Sequence, residues 1–177
     1  MTFREIRDHK FKILFMCNFL KSDLDQVLLN YFENMPYEEE DDDNSYVNDS
    51  SKTHKNVAKV QITSDDNSSN VSDAAVLISL TEDDNIRDIT TKVKDVISKT
   101  EEIDKIISDN LETWDIKRVG KAELTIIRLA LYEMYYDKSI DVPVAINEAI
   151  ELAKVYGDNK TPKFVNGVLA TIHKKKG

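Results

Sequence analysis

Between Val142 and Leu169 the chain spells out two helices with sharply marked ends, and this stretch constrains the fold more than any other. The run Val142-Pro-Val-Ala-Ile-Asn-Glu-Ala-Ile-Glu-Leu-Ala-Lys-Val-Tyr-Gly157 follows Asp141, a good capping residue, and carries Pro143 in the first turn. Gly157 then offers an ending in the left-handed conformation. A few residues later Thr161 and Pro162 supply a second cap and a second first-turn proline. Two short helices side by side are the expectation.

The rest of the chain repeats the same periodicity. Phe3, Ile6, Ile13, Leu14, Cys17 and Leu20 predict a helix over 3–21, apolar almost all round from Phe11 to Leu20 and therefore buried on most sides. Ser22 with Asp25 reads as a variant capping box opening a helix through Val27, Leu28, Tyr31 and Phe32, which Pro36 stops. An acidic start at Thr81-Glu-Asp-Asp84 precedes the stripe Ile86, Ile89, Val93 and Val96. Ile103, Ile106, Ile107, Leu111 and Trp114 continue it in a second element. Leu124, Ile127, Leu131, Met134 and Tyr135 mark a third, which Ile126 and Ala130 make apolar on more than one face, so it is expected at the centre of the C-terminal half. The count is seven helices, with no strand-type alternation of comparable length. The fold class is all-α.

Charge divides the chain differently. The formal net charge is −9 over 177 residues. Residues 36–84 alone hold 13 acidic and 3 basic side chains, which leaves the remainder with 20 and 21. Glu38–Asp43 is an unbroken carboxylate run that repels itself, and the Ser/Asn/Asp-rich sequence after it offers little apolar surface to offset the cost of ordering. Residues 36–81 therefore read as an acidic, disordered insertion in an N-terminal helical subdomain (1–112), followed by a C-terminal helical subdomain (113–177). Within the insertion, Val57–Ile62 has the composition of a short strand, and Ala74–Leu80 is apolar enough to dock or to begin a helix. Outside it the two termini are basic, with Arg4, Arg7, Lys10 and Lys12 at one and Lys174–Lys176 at the other.

Composition also limits the chemistry. Cys17, the single cysteine, excludes an internal disulfide and a cysteine zinc cluster, and its apolar setting suits a buried thiol. His9, His54 and His173 have no nucleophile with an orienting third group, and there is no glycine-rich phosphate loop. The carboxylate run lacks the glycine turn and alternating ligands of a calcium loop. No enzyme, cofactor or metal is expected. Lys12 and Asn18 interrupt the most apolar run, so no membrane span or signal peptide is expected and the location is cytoplasmic.

Several motifs carry a family resemblance. Glu102-Ile-Asp104, Trp114-Asp-Ile-Lys-Arg118, Ile126-Ile-Arg-Leu-Ala-Leu-Tyr-Glu133, the helix pair at 142–169, and Arg4-x-x-Arg7 running into Leu14-Phe15 resemble the transcription antitermination factors of the NusB family. The resemblance covers about 3–34 and 84–172 and leaves 36–81 without a counterpart. It implies a three-helix N-terminal part packed on a four-helix C-terminal part. It also implies binding of single-stranded boxA RNA together with the small-subunit ribosomal protein that serves as NusE, within elongating RNA polymerase complexes that transcribe ribosomal RNA. The alternative is an isolated NusB-like interaction or rRNA-targeting module with weak or no RNA binding of its own.

Candidate residues follow, each with a structural counter-reading. Arg4, Arg7 and Lys10 step by three along one helix and suit phosphates; the counter-reading is a solvated first turn, although basic groups there oppose the helix dipole. Lys163, Phe164 and Asn166 open the last helix, where Phe164 can stack on an unpaired base or simply join the core. Gly167 inside that helix points to close packing or close approach of RNA. By resemblance, Lys121 and Glu123 lie near the RNA, Glu123 accepting from a base amino group or merely serving the helix dipole. Phe15, Lys117 and Arg118 face the ribosomal-protein partner by the same resemblance, with Phe15 equally suited to the core. Arg128 reads as a paired structural arginine. Lys160 and Pro162 depart from the acidic or polar residues some family members carry, and the lysine favours phosphate.

Overall fold

The structure, a computed structural model, describes residues 1–20, 23–35, 83–110 and 115–176. Among these lie seven α-helices and no strand: α1 (Phe3–Cys17), α2 (Leu24–Glu33), α3 (Asp84–Ser98), α4 (Thr100–Asn110), α5 (Lys121–Tyr135), α6 (Val142–Tyr156) and α7 (Thr161–Lys176). A 3₁₀ turn, Ile116–Arg118, leads into α5. The suggested strand at Val57–Ile62, the segment Ala74–Leu80, the acidic run, Ser22, Leu111 and Trp114 lie outside the described residues.

Helix α5 is the hub, as its many-sided apolar pattern requires. Nine of its fifteen residues are buried, and it packs against α1, α3, α4, α6 and α7. Ile126, Ile127 and Leu131 are wholly enclosed, along with Ile13, Leu28, Ile89, Val93, Ile103, Ile107, Val165 and Leu169 from the surrounding helices. The stripes read from sequence point inward: Ile89, Val93 and Val96 from α3, Ile103 and Ile107 from α4. Arg128 of α5 is a structural arginine, making two 2.7 Å bonds to Asp104 of α4.

Several helix ends differ from expectation. Helix α1 stops at Cys17 rather than at residue 21, where the Asn18 amide bonds back to the Leu14 and Phe15 carbonyls (3.0 and 3.2 Å) and satisfies acceptors left open at the helix end. Its start is fixed by a full capping box that sequence reading overlooked: Thr2 Oγ1 accepts from Glu5 N, and Thr2 N donates to Glu5 Oε2. Asp23 stands at the cap of α2 and makes no side-chain cap bond. Asp141 stands at the cap of α6, likewise without a side-chain bond. Gly157 is extended (φ −108°, ψ −177°) rather than left-handed. Its lack of a side chain has a steric cause: a Cβ there would lie 2.4 Å from Thr161 Cβ and Cγ2.

Candidate nucleic-acid interface

The three cations of α1 do not share a solvent face. Each step of three residues turns a helix about 60° short of a full circle, so the series swings progressively inward. Arg4 is outermost, with its side chain 68% exposed, and forks across the Glu148 carboxylate of α6 at 3.3 Å through both Nε and Nη2. Arg7 is buried. Its Nε donates to both Glu133 oxygens at 2.9 and 3.0 Å, and its Nη1 reaches Glu148 at 3.3 Å. Lys10 is buried too, its ammonium 2.9 Å from Asp88 of α3. Arg7 and Lys10, expected to contact phosphate, are here paired with carboxylates and tie α1 to α3, α5 and α6. Burial holds the Glu133 carboxyl above its usual range, against the opposing pull of Arg7.

The other candidates gather at the opposite end of α1. Arg4 precedes Phe15 by eleven residues, about 16 Å along the axis. At that end the C-terminus of α1 meets the N-terminus of α5, since Asn18 Nδ2 donates to Thr125 Oγ1 at 3.0 Å. The α5 start is in turn joined to the start of α7, where Thr161 Oγ1 lies 3.1 Å from Glu123 Oε1. Asp158 caps the turn before α7, accepting from the backbone N–H groups of Lys160 (2.8 Å) and Thr161 (3.0 Å). Those bonds, together with the Thr161 hydroxyl, hold its carboxyl below the usual range.

These contacts frame an open depression lined by Arg118, Val119, Gly120, Glu123, Asp158, Lys160, Thr161 and Phe164. Phe164 is half-buried: it packs on the core and its remaining surface walls the depression. Glu123 folds back over Gly120, where a Cβ would fall 2.1 Å from its Oε2, so the missing side chain leaves room for the carboxylate that the Thr161 hydroxyl holds through Oε1. Lys121 and Lys163 are exposed nearby in the first turns of α5 and α7, and Asn166 is exposed in the second turn of α7. Lys117 and Arg118 are exposed on the 3₁₀ turn, and Phe15 is half-buried, stacked on Phe11 at 5.8 Å between ring centroids. Gly167 is exposed, and a Cβ there would meet nothing within 4 Å, so packing inside the protein does not explain it.

The arrangement presents cations around a partly exposed aromatic wall, with the Glu123 carboxylate and the Asn166 amide able to address base edges. That combination suits an unpaired nucleic-acid strand, in which bases stack and phosphates meet lysine and arginine. Sequence reading missed Asp158 and Thr161, the residues that shape the depression, because both resemble ordinary capping residues. Among the described residues no group of three side chains is placed to hold a metal ion, and no helix is long and apolar enough to cross a membrane.

Comparison with known proteins supplies a family. The NusB family model matches residues 52–174. Its start lies inside the stretch set apart as an insertion without counterpart, so only 36–51 of that stretch falls outside the match. The transcription antitermination protein NusB of Carboxydothermus hydrogenoformans is 52% identical over 80 residues, 45% of this chain and 56% of that protein. The protein of the same name from Bacillus pumilus is 48% identical over 77 residues, 44% of this chain and 59% of its own length. The chain thus spans under two thirds of the length of these curated relatives. A solved structure of T. maritima NusB superposes with a TM-score of 0.65 at 26% identity, covering 99% of this chain and 92% of that one.

Proposed function

The chain belongs to the NusB family, and on that premise we propose that it is a non-catalytic, RNA-binding transcription antitermination factor. It takes single-stranded boxA-type RNA together with the small-subunit ribosomal protein NusE and acts on elongating RNA polymerase. One observation carries the reading: Arg118, Lys160, Glu123 and Phe164 line one depression where three helix ends converge. Lys121, Lys163 and Asn166 extend that surface, and Arg4 gives a separate contact at the far end of α1. Phe15 and Lys117 turn to the ribosomal protein, with Arg118 at the junction of the two surfaces.

A second reading, an interaction or rRNA-targeting module with weak RNA binding of its own, draws on the burial of Arg7 and Lys10, which removes two of three α1 cations from the RNA. Titration of the full chain with boxA-like and scrambled RNA, with and without the ribosomal protein, separates the two. Preference for boxA that sharpens with the partner is the expected result. Equal, weak binding to both RNAs in either condition overturns the first reading in favour of the second.

A further inference from the structure

Just past the end of α1, Phe19 is 58% exposed. It is nevertheless held firmly. Asn18, its neighbour, makes three hydrogen bonds, two to the end of α1 and one to Thr125 of α5. The Phe19 ring packs edge-on against Phe15 at 5.0 Å between centroids, and the Lys121 ammonium sits 5.1 Å over it. Lys121 adjoins Gly120 in the depression wall, so this aromatic–cation pair is continuous with the surface described above.

We propose that Phe19 and Lys121 form a further RNA contact, in which an unstacked base packs on the Phe19 ring while Lys121 meets a phosphate. The inference rests on the RNA-binding reading and adds to it a residue that neither the motifs nor the resemblance singled out. Three features point to nucleic acid. An exposed ring already packed edge-on against Phe15 has less freedom left to lose on stacking than an uncontacted one. A cation–aromatic contact at an exposed site is weak, so a base can displace the ammonium from the ring and a phosphate can receive it. The neighbouring exposed cations Lys117, Arg118, Lys160 and Lys163 outnumber the carboxylates of Asp115, Glu123 and Asp158 at this end, which suits a polyanion over an acidic or neutral protein surface.

The test uses the full chain, an unstructured boxA-like RNA oligonucleotide, and the variants Phe19→Leu, Phe19→Tyr and Lys121→Gln. Phe19→Leu should weaken RNA binding about tenfold with the salt dependence unchanged, because stacking is not ionic. Phe19→Tyr, which keeps the ring, should restore affinity. Lys121→Gln should lower the slope of log K against log salt by about 0.7, one phosphate on a single strand. Melting temperatures of all three should match that of the original chain, since neither side chain is in the core. RNA affinity unchanged in Phe19→Leu overturns the proposal, and binding lost only to the ribosomal protein would assign the ring to a protein interface instead. If the unaltered chain binds no RNA, the RNA-binding reading fails and takes this contact with it.

Discussion

Arg7 donates from Nε to both oxygens of Glu133, at 2.9 and 3.0 Å, with both side chains buried where α1 meets α5. A cation at the start of a helix is thereby turned from a candidate ligand into a structural tie. Removing one partner of such a pair strands a charge in the interior, at a cost of about 3–5 kcal/mol. Arg7→Ala should therefore lower stability by that order, measured from the denaturant midpoint. Arg4→Ala, which breaks only an exposed pair with Glu148, should cost under about 1 kcal/mol. Replacing Arg7 and Glu133 together with Met and Leu should be milder than Arg7→Ala alone. Equal effects from Arg4→Ala and Arg7→Ala would show that the buried pair carries no special weight.

That pair also marks where sequence reading stops. Apolar periodicity identified the helices and their inward faces, because Ile89, Val93 and Val96, or Ile103 and Ile107, can be buried in only one way on a helix. Charged residues carry no such rule. The 300° turn from Arg4 to Arg7 is legible, but which carboxylate waits on the neighbouring helix is not: Glu133 lies 126 residues away. The depression was partly legible for the same reason. Phe164 and Glu123 were singled out individually, whereas the Thr161 hydroxyl that brings α5 and α7 together is a long-range contact between residues that each look like local caps.

Two glycines on either side of the α7 start should respond oppositely to alanine. Gly157→Ala places a methyl group 2.4 Å from the Thr161 side chain, and relieving that overlap should cost about 1–3 kcal/mol. It should also disturb the Thr161–Glu123 contact. Gly167→Ala adds a methyl into open space on a helix and should stabilise by about 0.5–1 kcal/mol. Thermal melts of the two variants against the original chain check both signs. A stabilised Gly157→Ala would mean that Thr161 moves aside at little cost.

Acid should loosen the corner after α5 through Asp137. Burial alone would raise this carboxyl, but bonds from Lys92 (2.7 Å) and from the Ser139 hydroxyl and N–H (2.6 and 3.1 Å) outweigh it and hold it below the usual range. A depressed carboxyl in the folded state gives stability that is complete above its unfolded value, near about pH 4, and is lost as pH falls through the folded value. Asp137→Asn should therefore be less stable than the original chain at neutral pH. The difference should shrink below about pH 4, where the original carboxylate also takes up a proton. Denaturation series from neutral pH downward measure the gap, and a constant gap would exclude Asp137 as a source of acid sensitivity.

Arg118 and Lys160 offer the most direct check on the depression, because both are exposed and face it from separate segments, the 3₁₀ turn and the turn before α7. If each meets one phosphate of a single strand, replacing both with Gln should lower the slope of log K against log salt by about 1.4. Affinity near physiological salt should fall while the melting temperature stays put, since surface substitutions of this kind change stability by about 0.5 kcal/mol or less. Arg4→Gln at the far end of α1 gives the comparison. Its loss frees Glu148 to rest on Arg7 alone, so any change in slope reports a phosphate rather than a broken fold. A smaller slope in both variants would mean one strand spans the roughly 16 Å between the two ends of α1. A change confined to the Arg118/Lys160 variant would place the strand wholly at the depression, and no change in either would exclude phosphate contact by all three residues.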